Sequence, residues 1–273
     1  MNPSLEKKID GKHIAQEILR DVGIMAPVMQ KRIAFIQFGD DRASTQFIAR
    51  KERVASGLGI QSDVLHESTL TTTDEALAVL QEVVAHGYDG IVVQLPLPYG
   101  MDTDTILNSI PVECDIDVLS KEAIEVFERG QTERMPPVAG AVDAVIKHGS
   151  IDLAGKNIVI LGKGRLVGGP IALLFDRMNI AYSAIDLETP PQAQKELLLS
   201  ADIVISGIGV AGHIQPSMIK EGVVLIDAGT SEHNGVLVGD VDPACFDKAS
   251  HYTTVPGGVG PVTVAVLLKN LFV

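Results

Sequence analysis

Only two cysteines, Cys114 and Cys245, occur in the 273-residue chain, and no CxxC spacing joins them. That excludes a disulfide-stapled scaffold and a cysteine zinc site, and points to a reducing compartment. The seven histidines are scattered, with no HxH or HExxH pair, so no metal is expected. Positive charge is in deficit: 22 Lys and Arg stand against 35 Asp and Glu, a net charge of −13. Nucleic-acid backbones and anionic membranes are therefore poor partners, although a local basic pocket can still exist. No apolar run approaches the roughly 18–20 residues of a membrane helix. The opening "MNPSLEKKIDGKHIAQEILR" carries charge but no apolar stretch of the kind a secretory signal needs. A soluble cytoplasmic protein is expected.

What is present is a large apolar fraction, 46% of residues, enough for a substantial core. Short β-branched runs alternate with helix-like segments. The segments "RIAFIQFG" (32–39), "GIVVQLPLP" (90–98), "NIVILG" (157–162), "DIVISGIG" (202–209) and "VVLIDAG" (223–229) read as buried strands. Around them "HIAQEILRDV", "DEALAVLQEVVAHG" and "GAVDAVIKHG" carry the helical period. Continuous apolar strands between helices imply an α/β fold whose parallel sheet is covered on both faces. The irregular, acid- and proline-rich stretch 99–137 is placed as the junction between two α/β halves, and a cleft between such halves is the expected ligand site.

"ILGKGRLVGGP" (160–170) sets Gly162, Gly164 and Gly168 between a strand and a helix. Glycines there let backbone approach a pyrophosphate, and the helix N-terminus offers N–H donors. The plainer alternative is a tight strand-to-helix turn that needs small residues for packing. Asp186 follows at the end of the next strand-like run. It can accept from a ribose 2′-hydroxyl and repel a 2′-phosphate, or be a solvated turn residue. Lys163 pulls toward a 2′-phosphate; Asp186 with Glu188 outweighs it, and NAD is favoured over NADP.

In the first half, Ser44, Phe47 and Lys51 fall at i, i+3 and i+7, on one face of the expected helix. Lys51 is a surface charge or a site amine. Gln94 ends a strand that the prolines behind it cannot continue, at the sheet edge where ligands bind; it is a site residue or a loop amide bonded to backbone. Asp115 and Asp117 point to the same side if their segment is extended, and are solvated, capping, or aimed at an amidine-like ligand. Near the end, "PGGVGP" (256–261) abuts an apolar helix-like tail with more special backbone positions than a helix start requires.

Taken in order, Ser44-x-x-Phe47-x-x-x-Lys51, Val93-Gln94-Leu95-Pro96-Leu97-Pro98, Asp115-x-Asp117, Gly162-x-Gly164-x-x-Val167-Gly168-x-Pro170, Val238-Gly239-Asp240-Val241 and Pro256-Gly257-Gly258-Val259-Gly260-Pro261-x-Thr263 resemble the bifunctional methylenetetrahydrofolate dehydrogenase/cyclohydrolase family of the FolD type. The resemblance runs almost end to end. It implies a folate-binding catalytic domain, 1–119 plus 255–273, a Rossmann-like, doubly wound NAD(P)-binding domain, 120–254, and a homodimer. It implies oxidation of 5,10-methylenetetrahydrofolate to the methenyl form with NAD or NADP, then hydrolysis to 10-formyltetrahydrofolate. Lys51 matches the catalytic lysine, Gln94 its hydrogen-bond partner and Asp117 the pterin-binding aspartate. Ser44, Phe47, Val93, Leu95, Pro96, Asp115, Pro256, Gly257, Gly258, Val259, Gly260, Pro261 and Thr263 match substrate-binding positions, with the glycines forming a thin wall against a flat pteridine. Gly162, Lys163, Gly164, Arg165, Val167, Gly168, Asp186, Gly209 and Thr230 match cofactor positions. The chain departs from the family pattern at Phe47 (usually tyrosine), Cys114 (lysine), Val118 (glycine), Pro136-Pro137-Val138-Ala139 (Pro-Cys-Thr-Pro), Gly164 (serine) and Thr230 (isoleucine). A folate- and nucleotide-binding homologue that has lost one or both activities is the alternative; an unrelated amino-acid dehydrogenase would leave QLPLP and PGGVGP unexplained.

Overall fold

The computed structural model describes residues 7–233 and 236–273. They divide into two compact units, one of Glu17–Pro137 with Val264–Val273 and the other of residues 7–16 with Val138–Thr263. Among the described residues no helix is long and apolar enough to cross a membrane.

The first unit carries α1 (Gly11–Met29, from residue 17 on), β1 (Arg32–Phe38), α2 (Arg42–Gly57), β2 (Gln61–Glu67), α3 (Thr73–Ala85), β3 (Gly90–Val93), α4 (Thr103–Leu107) and α5 (Lys121–Glu128). Its three strands are parallel in the order β2-β1-β3. β1 and β3 are the apolar runs expected from the sequence and are buried almost throughout. β2, "QSDVLHE", is half-buried at best, because it is the sheet edge and neither face is fully covered. Side chains start the helices that matter below. Asp41 accepts from Ser44 N at 2.7 Å to cap α2, and Thr72 with Glu75 closes a capping box on α3. The stretch 99–137, read from the sequence as a junction, is part of this unit. Arg134 donates to the Val112 carbonyl at 2.9 Å, and Asn270 bonds Met135 and Ile116 through its side-chain amide, which ties the stretch down.

The second unit holds α6 (Pro137–His148, from residue 138 on), β4 (Ile158–Leu161), α7 (Gly168–Arg177), β5 (Ser183–Ile185), α8 (Pro191–Ser200), β6 (Ile203–Ser206), β7 (Val224–Asp227), the hairpin β8 (Ser231–His233) and β9 (Val236–Val238), β10 (His251–Tyr252) and the start of α9 (Val259–Lys269). Five parallel strands lie in the order β10-β7-β6-β4-β5. Every residue of β4, β6 and β7 is buried, which is why these runs carry no polar alternation. The chain builds from β4 outward to β5, then returns to the other side of β4 with β6. That reversal is the switch point where such sheets bind ligands, beyond the carboxyl ends of the strands. The loop 255–261 belongs to this unit, not with the first half. Gly258 N donates to Thr254 O at 2.7 Å, and a side chain on Gly11 would collide with the Gly258 carbonyl.

Candidate active site

In the first unit, α2 and the end of β3 bring Lys51 and Gln94 together across 43 residues of sequence. Lys51 Nζ donates to Gln94 Oε1 at 3.0 Å. Gln94 is itself fixed. Its backbone N–H extends the β1 ladder to Ile36 O at 2.8 Å, and its Nε2 donates to the Leu95 carbonyl at 2.7 Å. The residue is 9% exposed, and with Nε2 committed to Leu95 its Oε1 is the atom that meets the amine. Ser44, two turns before Lys51 on the same helical face and buried, also reaches the Leu95 carbonyl, with its Oγ at 3.4 Å. The Leu95–Pro96 peptide is cis. Phe47 on that face is half-buried, with the Arg50 guanidinium 5.8 Å from its ring centre.

Asp115 and Asp117 do not share a direction, because the segment is a turn, not a strand. Asp115 is 1% exposed and caps the chain ahead, its Oδ2 accepting from Leu119 N at 3.0 Å and Ser120 N at 2.8 Å. Its Oδ1 is buried with no partner among the described residues. Asp117 keeps some exposed surface. Desolvation raises its pKa; the Lys51 ammonium opposes this and the Asp115 carboxylate adds to it. The carboxylate therefore lies within the electrostatic reach of the amine. Between Asp117 and the capped residues sits Val118, buried and held at φ +54°, a left-handed backbone that β-branched residues avoid.

In the second unit the glycines of 162–168 have separate causes. Gly162 turns at φ +99° as β4 ends, and its N–H donates to Ile185 O at 2.8 Å. A Cβ on Gly168 would lie 1.8 Å from the Gly162 carbonyl oxygen, so only glycine lets α7 start against that turn. Gly164 meets nothing within 4 Å: packing places no demand on it. Val167 opens α7 without a side-chain cap; Gly169 N turns back to Gly164 O at 3.0 Å and Pro170 has no N–H, so the Gly168 N–H is the one first-turn donor left for an outside acceptor among the described residues. Lys163 Nζ lies 2.7 Å from Asp186 Oδ2, and Asp186 Oδ1 also accepts from Glu188 N, Thr189 N and Thr189 Oγ1. These contacts, the Lys163 bond first, hold the Asp186 carboxyl down at about 2 and raise the Lys163 amine. The loop after β6 seats on the glycine turn. A Cβ on Gly207 would overlap Val167, and one on Gly162 would press on Ile208 at 3.0 Å. Gly209, at φ +68°, faces the Thr230 carbonyl.

The comparisons with known proteins decide the family. The signature described as the tetrahydrofolate dehydrogenase/cyclohydrolase catalytic domain matches residues 9–117, and its NAD(P)-binding domain matches residues 136–273. The chain belongs to this family. It is 36% identical over 270 residues to the bifunctional protein FolD of Mycoplasmopsis synoviae, covering 96% of this chain and 94% of the relative. The crystal structure of the FolD enzyme from Campylobacter jejuni superposes with a TM-score of 0.90 at 31% identity, over 97% of this chain and 96% of that one. The Trypanosoma brucei enzyme, solved with NADP cofactor and an inhibitor, gives a TM-score of 0.88 at 29% identity, over 97% and 95% of the two chains.

Against that family, the departures acquire local readings. Val118, where the resemblance expects glycine, takes a glycine-like left-handed angle. Gly164, where the resemblance expects serine, has room for a side chain. In the PGGVGP loop, Gly257 needs its φ of +102°, and Gly258 packs against Thr253 and Thr254, whereas Gly260 has open space beside it. The Thr263 hydroxyl donates back to the Val259 carbonyl at 3.1 Å. Sequence reasoning named Asp240 only as part of a motif and overlooked Asp227 and Ser206, which form a buried network with it.

Proposed function

We propose that the protein oxidises 5,10-methylenetetrahydrofolate to the methenyl cation and then hydrolyses that cation to 10-formyltetrahydrofolate. The observation that carries the reading is the Lys51–Gln94 bond with the Asp117 carboxylate in the field of the same amine. The Lys51 amine holds or releases a proton at Nζ, where hydrolysis needs a base for water and later a proton for a ring nitrogen. Gln94, locked by its own bonds, keeps Nζ from swinging into solvent. Asp117 offers two acceptor oxygens to adjacent N–H donors of a pterin, a charge-assisted pairing. Asp115 supports that loop from below by capping Leu119 and Ser120.

A nicotinamide ring supplies the hydride acceptor, and the second unit fits such a cofactor. The Gly162–Gly168 turn leaves the Gly164 face bare, so backbone can approach a diphosphate there, and the Gly168 N–H at the start of α7 is a donor for it. NAD is favoured over NADP. Lys163 is already paired with Asp186, and a 2′-phosphate brought to Lys163 would set a dianion beside that carboxylate, whereas a ribose hydroxyl leaves the pair intact. Following the resemblance, the protein is read as a homodimer acting in the cytoplasm.

Lys51→Met tests the assignment. Decay of methenyltetrahydrofolate, followed without nucleotide, should slow by about 10²–10⁴-fold, the range for loss of a general base. Decay at the wild-type rate would remove Lys51 from the mechanism.

A further inference from the structure

The second unit buries two carboxylates that the chemistry above does not use. Asp240 is 0% exposed and Asp227 is 2% exposed. Among the described residues neither pairs with a cation; backbone amides satisfy both, joined at Asp240 by the Ser206 hydroxyl. Asp240 Oδ2 accepts from Ser206 Oγ at 2.7 Å and Ile208 N at 2.8 Å, and Oδ1 accepts from Val210 N at 2.8 Å. Asp227 Oδ1 accepts from Gly229 N at 3.1 Å and Asp240 N at 3.2 Å, and Oδ2 accepts from Val241 N at 2.9 Å. Each acid occupies space that a glycine leaves empty: a Cβ on Gly229 would lie 2.1 Å from the Asp240 carboxyl, and one on Gly239 would lie 2.1 Å from Asp227 Oδ2.

All three donors to Asp240 come from one loop, 206–210, at the carboxyl end of β6. Two of them, the amides of Ile208 and Val210, flank Gly209. That loop rests on the glycine turn through Gly207 and Ile208, and Gly209 meets the Thr230 carbonyl on its far side. It lies at the switch point of the sheet, opposite the uncapped start of α7. We infer that Asp240 is a positioning residue for the nucleotide: its carboxylate clamps the 206–210 loop into the second wall of the site. The inference rests on the nucleotide reading given above. A side chain that served only to fill the core would be apolar; a carboxylate with three converging donors fixes the loop to one conformation.

Asp240→Asn keeps the shape and replaces one acceptor oxygen with an NH₂ that faces a donor, so Ile208 N or Val210 N loses its partner. The dissociation constant for reduced nicotinamide nucleotide, read by its fluorescence, should rise at least tenfold, and the dehydrogenase KM for the oxidised form should rise with it. Nucleotide-free methenyltetrahydrofolate hydrolysis should stay within about twofold of wild type. Ser206→Ala, which removes one donor and keeps both amides, should weaken nucleotide binding by a smaller factor in the same direction. Unchanged nucleotide binding in Asp240→Asn overturns the inference. If Asp240→Asn does not fold, Ser206→Ala decides: parallel loss of both activities, or unchanged binding, overturns it, and selective loss of binding upholds it. If wild type binds nucleotide but lacks dehydrogenase activity, the functional reading fails while the fluorescence measurement still decides the role of Asp240.

Discussion

Alanine at Gly168 and at Gly164 separates what packing demands of the glycine loop from what a ligand demands. At Gly168 the new Cβ would lie 1.8 Å from a backbone carbonyl oxygen, where real Cβ atoms essentially never come within 3.0 Å. Relief needs more than 1 Å of movement between the end of β4 and the start of α7, and neither is a flexible side chain. Overpacking of this kind costs about 3 kcal/mol, the upper part of the usual range. For a unit of this size that lowers the melting temperature by roughly 6–12 °C. At Gly164 no atom lies within 4 Å and the backbone is not left-handed. Alanine there should leave the melting temperature unchanged or raise it slightly, since a less flexible unfolded chain is worth about 0.4–1 kcal/mol. Its effect should fall on the cofactor instead: a methyl group on the bare face keeps backbone from a diphosphate, and the KM for NAD(P) should rise tenfold or more. Calorimetry and initial-rate kinetics on the two variants give four numbers. A Gly168→Ala protein that melts with wild type refutes the close-packing argument. A Gly164→Ala protein with unchanged KM refutes the assignment of that face to the cofactor.

Three further expectations follow from single residues. At Val118, held at φ +54° outside any helix or strand, Val118→Gly should be more stable than Val118→Ala in denaturant titrations, because glycine alone takes the left-handed region without steric cost; alanine the more stable of the two would show that the turn carries no strain. Asp227 has its pKa raised to about 6 by desolvation, with the Asp240 carboxylate adding repulsion and the amides of Val241, Asp240 and Gly229 opposing. The folded state thus binds a proton more tightly than the unfolded chain, and stability falls as pH rises from about 4 to 6. At 1.36 kcal/mol per unit the fall is about 3 kcal/mol, and Asp227→Asn should abolish it; equal pH slopes for the two proteins would refute the buried-acid account. Asp186→Asn frees Lys163 and should raise the NADP-to-NAD ratio of kcat/KM at least tenfold, whereas Lys163→Gln should not; an unchanged ratio in Asp186→Asn would remove that carboxylate from cofactor choice.

What was legible in the sequence was what local spacing encodes. The buried strands β1, β3, β4, β6 and β7 announce themselves because each is covered on both faces, and the i, i+3, i+7 spacing from Ser44 to Lys51 places an amine on the face that meets Gln94. β2 escaped because an edge strand of mostly exposed residues has no apolar period to read. The alternation of Asp115 and Asp117 does not apply because it assumes extended backbone, and the chain turns over residues 112–117; the capping alternative holds for Asp115. Asp240 is the instructive case. Its partners lie 30 to 34 residues away, and nothing local says that a carboxylate will be buried. Yet a trace exists. Gly229 stands two residues after Asp227 and makes room for Asp240, and Gly239 stands one residue before Asp240 and makes room for Asp227. A glycine beside each of two acids at the ends of neighbouring apolar runs is the pattern that two interlocked carboxylates must leave, because a buried carboxylate with its donors fills space that any other side chain would occupy.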